Sequence, residues 1–311
     1  MLGTGFNFNL LLLINVIWGG IALVAFRCGG GAAAELTPDS DFNNGGTDAV
    51  LTTLVPVAAH DLKNGSEDSG RAVPVNSDSK PLYPQTERPE RLKVPGFNDA
   101  MFVSPSERSS APRPVVIVLH GNFDRPEWQC KMWQSVASWY GWILCPRGVR
   151  TPWATLAEDR WTYRGGAKKV SGEMMAALTA LESRFPGAVT RDGAVLVGFS
   201  LGAILIPELI QLHPDWFDTV FLIEGGLKQL DRYLLSMKQR GVERIGLAMS
   251  TAGNRQKASE MRIKIKRKGL VSVYVDMRGA GHNYRQDFSS TGQKALRYLL
   301  GDTNDLTVNN R

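Results

Sequence analysis

The sequence predicts an α/β protein built on a mostly parallel, doubly wound sheet with helices on both faces. Three observations carry this. Short, wholly apolar runs recur through residues 91–305. Stretches whose apolar residues fall at helical spacing alternate with them. Proline and glycine punctuate several of the junctions, as at Pro126, Pro186-Gly187 and Gly241. A strand apolar along its whole length is buried on both faces. A parallel sheet flanked by helices provides that, whereas a one-sided antiparallel sheet shows alternation.

Taken in order, "AMFVSP" (100–105) reads as a short strand and "PVVIVLHG" (114–121) as an uninterrupted apolar strand ending in a polar turn. "PEWQCKMWQSVASWYG" (126–141) reads as a helix with Trp128, Met132, Trp133, Val136 and Trp139 on one face, and Pro126 suits its first turn. "GWILCPRG" (141–148) is the next strand, and "AKKVSGEMMAALTALESRF" (167–185) an amphipathic helix. "GAVLVGFS" (193–200) is a strand, "LGAILIPELIQLH" (201–213) a helix, and "TVFLIEG" (219–225) a strand. A helix over 227–241, a strand over 244–251 and a basic helical stretch follow. A strand over 270–279 and a closing helix over 292–301 complete the series.

The ends of the chain read differently. Met1 to Phe26 carries no charge, and residues 10–26 are nearly apolar, broken only by Asn15. A spanning helix needs about 20 such residues, so residues 1–28 are expected to be a signal peptide or a membrane anchor, although the positive leader of a secretory signal is lacking. Cys28, followed by three glycines, resembles the lipidated cysteine of bacterial lipoproteins but has Arg27 before it, where that signal has a small residue. Residues 29–90 are rich in Gly, Ser and Asp and read as a disordered tether. Residues 306–311 are a short tail.

The 311-residue chain is 43% hydrophobic with a formal net charge of +6. That charge alone is a weak sign of an acidic partner. The densest basic run, 262–268, has no aromatic residues among its cations on which bases would stack, so no nucleic-acid partner is expected. No metal or other cofactor is expected. In an exported protein the even pair Cys130 and Cys145 reads as a disulfide, the alternative being two buried thiols. A periplasmic, cell-envelope or extracellular location follows, with or without an anchor.

In open parallel sheets, ligands bind past the carboxyl ends of the strands. Four strand ends stand out: "VLHGNF" with His120, Asn122 and Phe123; "GFSLG" with Ser200; "LIEGG" with Glu224; and "RGAGH" with His282. On these residues the chain resembles the α/β-hydrolase family over roughly residues 95–305. The most specific likeness is Gly198-X-Ser200-X-Gly202 between a predicted strand and helix, the nucleophile elbow. A sharp turn there exposes the hydroxyl, and side chains at the two glycines would crowd it.

The resemblance implies a serine hydrolase that cleaves carboxylic esters through an acyl-enzyme. Ser200 would be the nucleophile, His282 the base and Glu224 the acid. The backbone N–H groups of Leu201 and of Asn122 or Phe123 would form the oxyanion hole. His120 resembles a structural histidine beside that loop. The acid departs from the commonest family pattern: the strand end "LAMSTAGNRQ" offers none before Glu260, and Glu224 follows the preceding strand instead. Asp276 is the rival, but it lies within a strand. Residues 225–243 leave little room for a lid, so a small-molecule or extended ester at an open site is expected, with Trp153, Trp161 and Tyr163 either lining the cleft or packed in the core. A peptidase, thioesterase or acyltransferase would use the same residues, and a non-catalytic hydrolase-fold binding protein is the reading from another class.

Overall fold

The computed structural model describes residues 83–302. The apolar run at 10–26, Cys28, most of the tether and the tail at 306–311 lie outside the described residues. Among the described residues no helix is long and apolar enough to cross a membrane.

In chain order the elements are β1 (Glu90–Leu92), β2 (Ala100–Val103), β3 (Arg113–Leu119), α1 (Pro126–Ala137), β4 (Trp142–Cys145), β5 (Val149–Arg150), β6 (Trp161–Thr162) and α2 (Gly166–Arg184). They continue with β7 (Val189–Phe199), α3 (Leu201–Leu212), β8 (Thr219–Ile223), α4 (Leu227–Gln239), β9 (Arg244–Met249), α5 (Ala252–Arg267), β10 (Val271–Asp276) and α6 (Phe288–Leu299). Eight strands form one sheet in the order β1-β2-β4-β3-β7-β8-β9-β10. From β4 to β10 the pairs are parallel, while β1 and β2 are added antiparallel at one edge. The predicted α/β class and parallel sheet are present.

Successive residues of the central strands point to opposite faces, and both faces are covered. Ile117, Leu119, Leu196, Leu222 and Leu247 pack into one layer with residues of α2, α3, α4 and α5. Val116, Val118, Val197, Ile223 and Val275 pack into the other with α1 and α6. The unbroken apolar runs of the sequence are the consequence of this double cover.

Three local readings change. Trp128 does not share the buried face of α1: it is 49% exposed, and the helix buries Gln129, Cys130, Trp133, Val136 and Ala137 instead. Trp133 and Val136 are buried, and Met132 and Trp139 pack partly buried against the same layer, so Trp128 alone departs from the expected face. Residues 83–90, read as the end of the tether, belong to the domain. The Tyr83 ring packs edge-on to Trp142 at 4.8 Å. Thr86 and Ser104 exchange hydrogen bonds from backbone N–H to hydroxyl in both directions, at 2.7 and 2.9 Å, and β1 starts at Glu90. Two strands of two residues, β5 and β6, pair as a small hairpin, too short to leave a period in the sequence.

Cys130 in α1 and Cys145 at the end of β4 form a disulfide across a sequence separation of 15. A loop of that length restricts the unfolded chain by about 3 kcal/mol. Urea unfolding with and without reductant should therefore show a stability loss of roughly that size on reduction. An unchanged midpoint would mean that the packing around β4 holds α1 without the bridge.

Candidate active site

The site forms where β3, β7, β8, β9 and β10 end. Ser200 occupies the junction of β7 and α3 with φ 50° and ψ −108°, a left-handed conformation costly for a residue with a side chain. Two backbone bonds hold it: Ser200 N–H donates to Ile223 O at 2.8 Å, and Gly202 N–H to His120 O at 3.1 Å. Gly198 and Gly202 are required by space. A Cβ on Gly202 would collide with the Leu119 carbonyl, and one on Gly198 with the backbone of Gly202 and Ala203.

His282 lies in the loop after β10. Its Nε2 is 2.8 Å from Ser200 Oγ, and its ring lies against Phe199 at 5.3 Å between centroids. Its Nδ1 is 3.5 Å from Glu224 Oε2. Glu224 follows β8 directly, with φ 53° and its N–H bonded to Ala248 O at 2.9 Å. The Glu224 side chain is fully buried. Burial raises its carboxyl above the usual range, and the Ser250 hydroxyl, the His282 charge and the Ser250 N–H pull it back in part. Neither carboxylate oxygen makes a hydrogen bond of standard geometry among the described residues. The 3.5 Å separation is long for a hydrogen bond, though contacts of this kind often tighten only when substrate is bound. The rival Asp276 is paired with Arg255 and Arg278 at 3.4 and 3.3 Å.

Ser250 stands after β9, where an acid was sought and not found. Its hydroxyl donates to the carbonyl of Gly281, the residue before His282. The position thus ties down the histidine loop without carrying charge.

Leu201 N–H is the first of α3, and together with the N–H groups of Asn122 and Phe123 it has no acceptor among the described residues. Gly121 N–H is occupied by Asp124 Oδ2 at 3.1 Å. Phe123 has φ 57°, which turns the loop, and the Asn122 side chain accepts from Thr162 Oγ1 at 2.7 Å.

Beneath this loop lies a buried polar cluster. His120 is fully buried and stacks on Tyr163 at 4.3 Å. Its Nδ1 and Nε2 face the carbonyls of Gly121 and Arg147, each at 2.7 Å, and burial lowers its pKa. Glu173 Oε1 accepts from the N–H groups of Arg147 and Gly148 at 3.0 and 2.7 Å. Tyr163 is therefore a core residue, whereas Trp153 is 66% exposed. Asp124 Oδ2 also accepts from Gln129, whose carbonyl accepts from Tyr284 at 2.7 Å. Sequence reasoning singled out none of Asp124, Gln129, Arg147, Glu173, Ser250 or Tyr284 for these positions. Glu173 alone left a signal, a carboxylate on the face of α2 that also carries Val170, Met174 and Ala177.

A cavity of about 450 Å³ opens beside the site, lined by Ile204, Gly225, Leu227, Met249, Asn254 and Met261 among others. It adjoins Ser200, because Gly225 packs against the Ser200 carbonyl.

No family model matches the sequence, and no curated protein does. Among solved structures the chain is similar to a thermostable esterase, at 17% identity and a TM-score of 0.47 over 68% of this chain and 62% of that one. It is similar to the Pyrococcus horikoshii acylaminoacyl peptidase at 13% identity and 0.47, over 74% and 43% of the two chains. For the Staphylococcus aureus fluorophosphonate-binding serine hydrolase F the values are 11% and 0.48, over 72% and 100%. The chain thus spans less than two thirds of the first two. Independently of these values, the sheet order and the strained turn after a central strand give an α/β-hydrolase fold.

The raised carboxyl of Glu224 makes a stability prediction. In the folded state it binds its proton at higher pH than in the unfolded chain, so wild-type stability should rise as pH falls through the folded value. Glu224→Gln removes the buried charge. The variant should melt higher than wild type above neutral pH, and its advantage should shrink as the pH is lowered. A variant that melts lower at every pH would show that the ionised carboxylate is net stabilising.

Proposed function

We propose that this chain is a serine hydrolase that cleaves carboxylic esters through an acyl-enzyme. The observation that carries the reading is the 2.8 Å contact of His282 Nε2 with Ser200 Oγ at a strained strand-to-helix turn, with a buried carboxylate on the other ring nitrogen. Ser200 is the nucleophile, His282 the general base and Glu224 the orienting acid.

His282 takes the Ser200 proton as Oγ attacks the ester carbonyl. The imidazolium so formed is stabilised by Glu224, whose side chain is shielded from solvent. The oxyanion accepts hydrogen bonds from Leu201 N–H and from Asn122 or Phe123 N–H, at the positive end of α3. His282 then protonates the leaving alcohol, and water, activated by the same base, releases the acid. The substrate is a small-molecule or extended ester, one side of which enters the cavity at Ile204, Leu227 and Met249. The disulfide supports an oxidising, exported location, with residues 1–28 as signal or anchor and residues 29–82 as the connection to the domain.

Fluorophosphonate labelling tests the reading. Wild type should be labelled on Ser200, and Ser200→Ala should not; His282→Ala should be labelled at least about 10³-fold more slowly. Failure of the folded wild type to label would sink the proposal. With p-nitrophenyl esters, Glu224→Gln should lower kcat by orders of magnitude with a smaller change in KM. Full turnover in that variant would move the acid's role to another group.

A further inference from the structure

Beside the oxyanion loop the Arg160 cation contacts two aromatic rings, one of which, Trp128, also meets the Arg125 guanidinium at 5.0 Å. The Arg160 guanidinium lies 5.4 Å from the ring centroid of Phe123 and 4.4 Å from that of Trp128. Phe123 is itself one of the two candidate loop donors. Asp124 and Trp161 exchange backbone hydrogen bonds at 3.1 and 2.9 Å, which fastens the segment carrying Arg160 to the oxyanion loop. Thr151 N–H donates to Arg160 O at 2.8 Å and closes the other side.

Among the described residues no carboxylate lies within ion-pair distance of Arg160, its charge reaches Glu158 only at longer range, and its Nε is buried without a hydrogen-bond partner. The neighbouring groups are otherwise engaged. Glu158 accepts from the N–H and hydroxyl of Thr155 at 2.7 and 2.8 Å, and Asp159 accepts from Trp161 Nε1 at 2.9 Å. Arg125 and Arg150 donate to the carbonyls of Glu158 and Thr155. Arg160 is thus a guanidinium beside the loop of Asn122 and Phe123, in contact with two aromatic rings and with no carboxylate in ion-pair distance among the described residues.

Contacts with rings occupy the π-faces of a guanidinium and leave its edge N–H groups for a polar partner. That edge presents its N–H donors in one plane, the arrangement that a planar carboxylate matches with two parallel hydrogen bonds. A lysine in the same place would be a mobile point charge. We propose that Arg160 is a specificity residue that binds a carboxylate on the substrate, so that the ester cleaved at Ser200 carries a second, free carboxylate. This rests on the hydrolase reading above and narrows its substrate class.

The test uses a pair of fluorophosphonate probes identical except that one ends in a carboxylate and the other in its methyl ester. The readout is the ratio of their labelling rates. In wild type the acid should react faster than the ester, and Arg160→Gln should lower the ratio by about ten- to a hundredfold, the effect of losing a charge-assisted hydrogen-bonded pair. Arg160→Lys should fall between the two. Trp128→Leu, which keeps the charge and removes one of the two ring contacts, should lower the ratio in part, and so covers a failure of Arg160→Gln to fold. Equal ratios in wild type and variants, with Ser200 labelled throughout, would overturn the carboxylate proposal and leave the hydrolase reading standing. No labelling by either probe would overturn both.

Discussion

The turn at Ser200 is the constraint on which the rest of the site depends. A non-glycine residue at φ 50° costs on the order of 1–3 kcal/mol, and the turn persists because its surroundings permit no other path. Ser200 is bonded to β8 through Ile223, and Gly202 to the end of β3 through His120. Glycines 198 and 202 let the start of α3 approach the backbone of β3 and β7 more closely than any side chain would allow. The same bonds that strain the serine also fix the spacing between the ends of β3, β7 and β8. The loop of Asn122 and Phe123, the Ser200 hydroxyl and the Glu224 carboxylate are thereby set relative to one another by the sheet.

Around that turn the polar groups divide into two sets with different physical tasks. The solvent-facing set is small: Ser200, half-buried, and His282, with 58% of its side chain open to solvent. The buried set is larger and mostly tied to backbone. Glu173 gathers two N–H groups, His120 faces two carbonyls, and Tyr163 Oη donates to Pro146 O at 2.8 Å. Losing a partner in such a low-dielectric cluster leaves the remaining group unsatisfied, at a cost of about 1–3 kcal/mol. The loop bearing Asn122 and Phe123 therefore rests on a platform that resists repacking. Glu224 is the exception in the buried set: it has no backbone donors in good geometry, and its nearest counter-charge is the one that forms on His282.

Much of this was legible in the sequence, for identifiable reasons. Strands buried on both faces leave unbroken apolar runs, so β3, β7, β8 and β9 and the turns after them could be read directly. Gly198-X-Ser200-X-Gly202 announced itself because steric demand selects glycine. His282 followed from its place after the last strand, and the structure brings it to Ser200. The parts that escaped depend on long-range contacts. The bond from Ser250 to the carbonyl of Gly281 spans 31 residues, and that from Tyr284 to Gln129 spans 155. The Arg160 contacts join a hairpin of two-residue strands to a loop 37 positions earlier, and their partner Trp128 reads in the sequence as one of five residues on a single helix face. Polar residues meeting across elements leave no periodicity, because their positions answer to the fold and to no local repeat.

The central claim is that a buried carboxylate after β8 orients the histidine that meets Ser200. Proton NMR in water tests it most directly, through the imidazole Nδ1–H. The account predicts a far-downfield Nδ1–H resonance, lost in His282→Ala and shifted strongly upfield in Glu224→Gln. A resonance unmoved by Glu224→Gln would contradict it, since His282 would then be held by a group other than Glu224.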